Sequence, residues 1–496
     1  VISVNSLPLT SGAAPVVLDL LALAALIWLL VGPRRHVLRA VPVAVVATFA
    51  ATVGLWFVSE RLWNLWGAPL PVAVYGFIAV GMLAMILVIP KMMVQRRLRD
   101  RIFTPVVAAA VVLASASLVN QDFQYYPTLG SLFEDSGVAI QSLAQFQLQH
   151  HLAIRTALAP TLEATWNPPA DMPQDGVVIR TSIPATISHL PEAPGYVYLP
   201  PAYLGTPRAN LPVLVLIHGV PGGSFDWLRG AQIAQFMNSY AQEHKGIAPV
   251  VVMPDAGAIN AKYPPVCLNS RQGKGATYLT QDVPNWIKKT FGAGTSSPGQ
   301  WAIGGFSYGG TCAMQLATNY PTVYPTFIDS SGENEPTINQ GRSELIKQYF
   351  GGNEADFAKQ NALDVLKTRS YRNTAGVVTV GASDSFYRPQ GIQVYEAMKQ
   401  AGMDVRLQEA PGGHAWPAWK YGVYNNMDWL MARLTAGTGL PPVAPKPEQA
   451  TGTWTAGTAT PRWGRPSGPL IRSTVSHAAG RQRGPAVEGI VPVTVG

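Results

Sequence analysis

The stretch WAIGGFSYGGTCAMQLATN, residues Trp301 to Asn319, changes character at its middle. Trp301-Ala302-Ile303 is a short apolar run of the kind that forms a buried strand, whereas Thr311 to Asn319 is rich in helix formers. Between them stands Gly305-Phe306-Ser307-Tyr308-Gly309, a G-x-S-x-G. The chain holds 47 glycines, so the pentapeptide alone carries little weight. Its place between strand and helix carries the argument, because a nucleophile elbow is a strand, a sharp turn and a helix. Glycine on either side permits that turn without a Cβ clash. The Ser307 hydroxyl is then expected to project from the end of the sheet. The helix N-terminus behind it favours developing negative charge.

The same alternation extends outward from this stretch. From about residue 175, eight short β-branched runs (GVVIRTSI, PGYVYLP, PVLVLIHG, APVVVMPD, QWAIGGFS, YPTFIDSS, GVVTVGAS and DVRLQEAPGG) are separated by amphipathic segments such as AQIAQFMNSYAQEH and YLTQDVPNWIKKTFG. Near-continuous apolar strands alternating with helices predict an α/β fold with a mostly parallel sheet covered on both faces. Functional residues are expected just beyond the carboxyl ends of its strands.

A serine nucleophile needs a base, and in an α/β-hydrolase the order along the chain is Ser, acid, His. After Ser307 the chain has two histidines, His414 and His477. His414 follows the last predicted strand in Pro411-Gly412-Gly413-His414, a loop able to reach the serine, so it is the expected base. Asp384 comes directly after GVVTVGAS and is the expected acid, with Asp329 after YPTFI as runner-up. An oxyanion hole needs two backbone N–H groups. Tyr308 is expected to supply one. The loop His218-Gly219-Val220-Pro221-Gly222-Gly223 is expected to supply the other. Pro221 has no N–H, which leaves Val220 first and Gly222 second, with His218 as a structural loop residue.

Composition divides the chain. Charged residues make up 13% and the formal net charge is +8. Residues 1–120 carry nine Lys and Arg against Asp19, Glu60 and Asp100. The tail from 441 to 496 holds a further net +4, so the middle is slightly acidic and no nucleic-acid partner is expected. Four apolar stretches, roughly 14–32, 40–58, 71–90 and 103–119, are read as transmembrane helices. The fourth is short and rich in small residues, which suits packing inside the bundle. Basic residues cluster after the first span (Arg34, Arg35, Arg39) and after the third (Lys91, Arg96, Arg97, Arg99, Arg101). Positive loops stay in the cytoplasm, so everything after residue 120 is expected outside it. Trp56, Trp63 and Trp66 suit the interfacial belt.

The expected organisation is a membrane segment over 1–120, a Gln-rich helical connector over 121–174 with His150 and His151 on a solvated face, an α/β-hydrolase domain over 175–438, and a disordered Pro/Gly-rich tail over 439–496. The two cysteines, Cys267 and Cys312, have no second Cys or His at metal-ligand spacing, so no metal is expected. On the outer side of a membrane they are expected to pair as a disulfide, pinning a pocket loop beside the elbow.

Residues 175–438 resemble the esterase D type of esterases, a superfamily that also includes the mycolyltransferases of mycobacterial and corynebacterial envelopes. The likeness rests on Val197-Tyr198-Leu199-Pro200-Pro201-Ala202-Tyr203, the His218-Gly219 loop, Val252-Met253-Pro254-Asp255, Thr277-Tyr278-Leu279 with Val283-Pro284, the GFSYGG elbow, Ser330-Ser331-Gly332 and Gly413-His414. It implies Ser/acid/His acyl transfer without a cofactor. The expected activity is hydrolysis of carboxylic esters held in a membrane or cell wall, with aminoacyl esters of phosphatidylglycerol as one specific candidate. The alternatives are acyl transfer to a sugar or lipid hydroxyl, and a non-catalytic envelope sensor or scaffold.

Overall fold

The eight β-branched runs all become strands of one sheet. The computed structural model describes residues 4–133, 135–149, 166–255 and 266–436. The sheet has nine strands: β1 (Ile140–Ser142), β2 (Val177–Ser182), β3 (Pro194–Leu199), β4 (Val213–Ile217), β5 (Val250–Met253), β8 (Trp301–Phe306), β9 (Thr326–Ser330), β10 (Ala375–Gly381) and β11 (Asp404–Ala410). Its order is β1-β2-β3-β5-β4-β8-β9-β10-β11. A small separate hairpin, β6 (Asn269–Ser270) and β7 (Gly273–Lys274), lies outside it. Strand β3 runs antiparallel to both β2 and β5, and every other pairing in the large sheet is parallel. The middle strands β4, β8, β9 and β10 are buried along their whole length. Helices cover both faces, so no residue of those strands has a solvent side to present. The edge strand β11 is only partly buried, and its polar sequence DVRLQEA reflects that.

The sheet begins earlier than the sequence suggests. Ile140–Ser142 lies inside the expected connector, yet pairs in parallel with Val178, Ile179 and Arg180. The Gln-rich helix follows directly as Leu143–Gln149, and Phe146 on it is fully buried in the main core. His150 and His151 lie outside the described residues, as does the tail from 439 onward.

Four helices precede the sheet: α1 (Ala13–Leu30), α2 (Val41–Trp56, extended at both ends by π-helical turns), α3 (Val72–Val94) and α4 (Leu98–Phe123). All four are long and apolar enough to cross a membrane. Their outward faces carry exposed large apolar side chains, among them Leu20, Leu21, Val46, Phe49 and Ile89, which in water would be costly and in hydrocarbon are not. Leu29, Ala44, Ala84, Leu87, Ala108 and Val111 form their shared core. Helix α4 is longer than its apolar stretch and not wholly interior: Ala108, Ala114 and Ser115 are buried, while Phe103, Val106 and Leu113 face outward. Small residues let it approach α3 closely, since a Cβ on Gly81 would lie 3.2 Å from the Ser115 hydroxyl.

Candidate active site

Strand β8 ends at Phe306, and the chain turns through Ser307 into the helix Tyr308–Asn319. Ser307 has φ 54° and ψ −125°, a conformation that costs a non-glycine residue about 1–3 kcal/mol. The turn is held by the Ser307 N–H donating to Ser330 O at 2.8 Å. A side chain on Gly305 would strike the backbone of Gly309, and one on Gly309 would strike Ile217 at the end of β4. Both flanking glycines are therefore required by close approach of backbone to backbone.

Three parallel strands deliver three side chains to one place. His414 Nε2 lies 2.9 Å from Ser307 Oγ, and His414 Nδ1 lies 3.2 Å from Asp384 Oδ2. The second carboxylate oxygen, Oδ1, accepts the backbone N–H groups of Phe386 (3.1 Å) and Tyr387 (2.9 Å). Burial works to raise the Asp384 carboxyl, but the His414 and backbone hydrogen bonds outweigh it and hold the carboxyl below its ordinary value. Burial lowers His414 and outweighs the opposing pull of Asp384. The imidazole is thus neutral near pH 7, with Asp384 accepting from Nδ1 and Nε2 left free to accept the serine proton. An ionised acid, a neutral base and a hydroxyl in line are what proton transfer from Ser307 requires.

Asp329 goes elsewhere. It is buried behind the elbow, where its Oδ1 accepts the Gly332 N–H at 2.8 Å and lies against Gly310. Burial pushes its carboxyl up to about 7, opposed only by that one N–H. His218 is fully buried, with Nδ1 2.7 Å from Gly219 O and Nε2 3.7 Å from Asp255 Oδ1, so it ties two loops together at the sheet's end.

Val220 and Tyr308 line the same cavity as Ser307. Tyr308 opens its helix, and first-turn N–H groups have no partner within a helix. The loop bearing Val220 is drawn close, since a Cβ on Gly219 would lie 3.4 Å from Ser307 Cβ. Asp226 shapes that loop by accepting the Gly223 N–H at 2.9 Å. Cys267 and Cys312 are joined by a disulfide, with Cα atoms 5.4 Å apart. It ties Cys267 to the helix Tyr308–Asn319, while the neighbouring Val266 and Leu268 pack with Leu345, Ile346 and Tyr349 of the helix Arg342–Phe350.

Several neighbours of Ser307 carry no signal in the sequence. Tyr387 stacks on His414 and lines the same cavity as Ser307, and burial keeps its phenol protonated. Trp419 meets His414 edge-on, with ring centroids 5.0 Å apart. The cavity in front of Ser307 measures about 770 Å³. Carboxylates and amides dominate its polar lining: Glu333, Glu335, Glu344, Asn334, Gln348 and Gln390. Arg342 is the one cation among the described lining residues, and it is paired with Glu335 and with Glu354. The Glu333 carboxyl is pushed up to about 7, by burial first and by the neighbouring Glu335 second.

The family profile described as "Putative esterase" matches residues 191–425. An uncharacterized protein of Corynebacterium glutamicum is 31% identical over 402 residues, covering 79% of this chain and 88% of that protein. An acetyl esterase of Caldicellulosiruptor saccharolyticus is 23% identical over 241 residues, covering 45% of this chain and 84% of that enzyme. Among solved structures, an S-formylglutathione hydrolase from Agrobacterium tumefaciens has a TM-score of 0.44 and 19% identity, covering 53% of this chain and 98% of that one. The C-terminal domain is an α/β-hydrolase, and the chain belongs to the Putative esterase family.

Proposed function

We propose that the protein is a membrane-anchored serine esterase acting outside the cytoplasm on esters of envelope lipids. The observation that carries the reading is the line Ser307 Oγ, His414 Nε2, His414 Nδ1 and Asp384 Oδ2 at the carboxyl ends of three parallel strands. In this reading Ser307 attacks the ester carbonyl as His414 takes its proton. The Tyr308 and Val220 N–H groups hold the oxyanion. The C–O bond breaks and His414 returns the proton to the departing alcohol. Water then attacks the acyl-enzyme by the same route and releases the acid. Asp384 fixes the imidazole tautomer and supports the imidazolium that forms. The arginine-rich segments after the first and third helices support the extracytoplasmic side.

The cavity's carboxylates support a narrower substrate class, esters whose acyl or alcohol part carries a cation. Glu333 lines the same cavity as Ser307 and has no basic partner at its carboxyl among the described ion pairs. An aminoacyl ester of phosphatidylglycerol would set its ammonium there and its ester at Ser307. The test is a panel of vesicles containing alanyl-phosphatidylglycerol, lysyl-phosphatidylglycerol or a neutral diacylglycerol. Wild type should release the amino acid and Ser307→Ala should not. Equal release by Ser307→Ala would remove the esterase reading, and turnover of the neutral lipid alone would remove the cationic one.

A further inference from the structure

Part of the cavity's wall does not belong to the hydrolase domain. Trp66 and Gly67, in the loop between α2 and α3, line the same cavity as Ser307. A polar clasp holds that loop in place. Asn64 Nδ2 donates to Asn339 O at 2.6 Å, and Asn339 Nδ2 donates back to Asn64 O at 2.9 Å. Gly67 has φ 71°, and a Cβ there would come within 2.8 Å of the Asn339 side chain, so glycine is needed for the contact. On the membrane side Glu60 braces the loop. Its carboxylate accepts from Trp56 Nε1 (3.0 Å), from Leu70 N–H (2.9 Å) and from the Tyr75 hydroxyl (2.9 Å).

A second clasp ties the chain just beyond α4 to the hydrolase domain. Just beyond α4, the Tyr125 hydroxyl donates to Asp226 Oδ1 at 2.5 Å and accepts from Arg229 at 2.9 Å. Asp226 is the carboxylate that shapes the Val220 loop. One clasp therefore holds the α2–α3 loop at the cavity-lining Asn339, and the other holds the chain just beyond α4 at the carboxylate that shapes the Val220 loop.

The surface of this loop is apolar where it leaves the cavity. Leu62, Trp63, Leu65 and Trp66 are exposed at the end of a helix suited to a bilayer, at the depth where indole rings settle. Val220 and Phe386, both on the cavity's rim, are exposed as well. We infer that the α2–α3 loop is a specificity-determining wall of the active site, through which the ester group of a membrane lipid reaches Ser307 while its chains stay in the bilayer. The inference rests on the esterase reading and deepens it. Membrane attachment then does more than raise local concentration, because the membrane segment supplies part of the site itself.

The test compares one soluble and one bilayer-held ester with the full-length protein in phosphatidylglycerol vesicles. The probes are 4-nitrophenyl acetate in solution and 4-methylumbelliferyl oleate dissolved in the vesicles. Trp66→Ala and Asn339→Ala should each lower kcat/KM on the oleate by at least about tenfold more than on the acetate, through KM. Trp66→Phe, which keeps a ring in the wall, should recover most of the difference. Equal losses on both esters, or loss on neither, would overturn the inference. If Asn339→Ala fails to fold, as judged by its melting curve, Asn64→Ala and the Trp66 pair decide the same question. Should Ser307→Ala keep turning over either probe, the esterase reading falls, an outcome distinct from loss of the discrimination between esters.

Discussion

Tyr387 lies flat against His414, with ring centroids 3.7 Å apart and planes within 12°. Its backbone N–H also donates to Asp384 at 2.9 Å, so one residue holds both the His414 ring and an oxygen of Asp384. Tyr387→Phe keeps the stack and should lower kcat/KM by less than about tenfold, whereas Tyr387→Ala should cost about a hundredfold. The readout that separates positioning from simple damage is the pH profile. Removing the ring relieves the burial that depresses His414, so the acid limb of kcat/KM should move upward in Tyr387→Ala and stay in Tyr387→Phe.

The acid limb itself has a predicted position in wild type. Burial lowers His414 below its ordinary value, and the base works when neutral. Activity on an uncharged ester should rise with pH through a midpoint below about 6.5 and be complete by neutrality. A midpoint above 7 would mean that Asp384 prevails over burial in setting the ring.

The two candidate acids should part company. Asp384→Asn removes the charge that fixes the His414 tautomer and should lower kcat by about a thousandfold or more. Asp329→Asn should stay within about tenfold of wild type, because Asp329 faces the Gly332 N–H and not His414. Its effect should appear in stability. Burial raises the folded-state Asp329 carboxyl to about 7, above its value in the unfolded chain. The contribution of such a group is full below the unfolded value and is lost as pH rises through the folded one. Asp329→Asn should therefore gain stability over wild type at pH 8 and little at pH 4, as melting curves at the two values would show. A larger activity loss from Asp329→Asn than from Asp384→Asn would reverse the assignment of the acid.

The Cys267–Cys312 disulfide closes a loop across a sequence separation of 45 residues. Loop-closure entropy sets its contribution at up to about 4 kcal/mol. Cys267→Ser with Cys312→Ser should lower the melting temperature and, because the tethered segment packs on the helix Arg342–Phe350 beside the cavity, raise KM more than it lowers kcat. Two alkylatable thiols in freshly isolated, unreduced membrane protein would contradict the bond.

What the sequence reveals and what it hides divides by range. Strands β4, β5, β8, β9 and β10 announce themselves because each is a short apolar run buried along its whole length, and β2, β3 and β11 because each is a short extended run set off by turn residues. The elbow is equally local, needing only six residues of strand, a serine between glycines and the start of a helix. Asp384 and His414 are legible from chain order, since both follow strands, and the fold brings His414 to Ser307 and Asp384 to His414. Strand β1 is hidden because it is three residues long and gains its partner only at Val178. Tyr387 carries no pattern that sets it apart from a core aromatic, and its role depends on where the chain carries His414. The Asn64–Asn339 clasp joins residues 275 positions apart, with no periodicity on either side to predict it. Glu333 looks like a solvated turn residue until Glu335 and the cavity wall are placed around it.

The central claim is that Ser307 is the nucleophile, and covalent labelling tests it most directly. Full-length protein in vesicles is treated with a fluorophosphonate, digested, and the modified peptide located by mass spectrometry, with Ser307→Ala and His414→Ala in parallel. The account predicts a single phosphonylated residue, Ser307, no labelling of Ser307→Ala, and labelling slowed by at least about a hundredfold in His414→Ala, where the proton acceptor 2.9 Å from the hydroxyl is gone. Undiminished labelling of Ser307→Ala, or an adduct on another residue of the wild type, would contradict it.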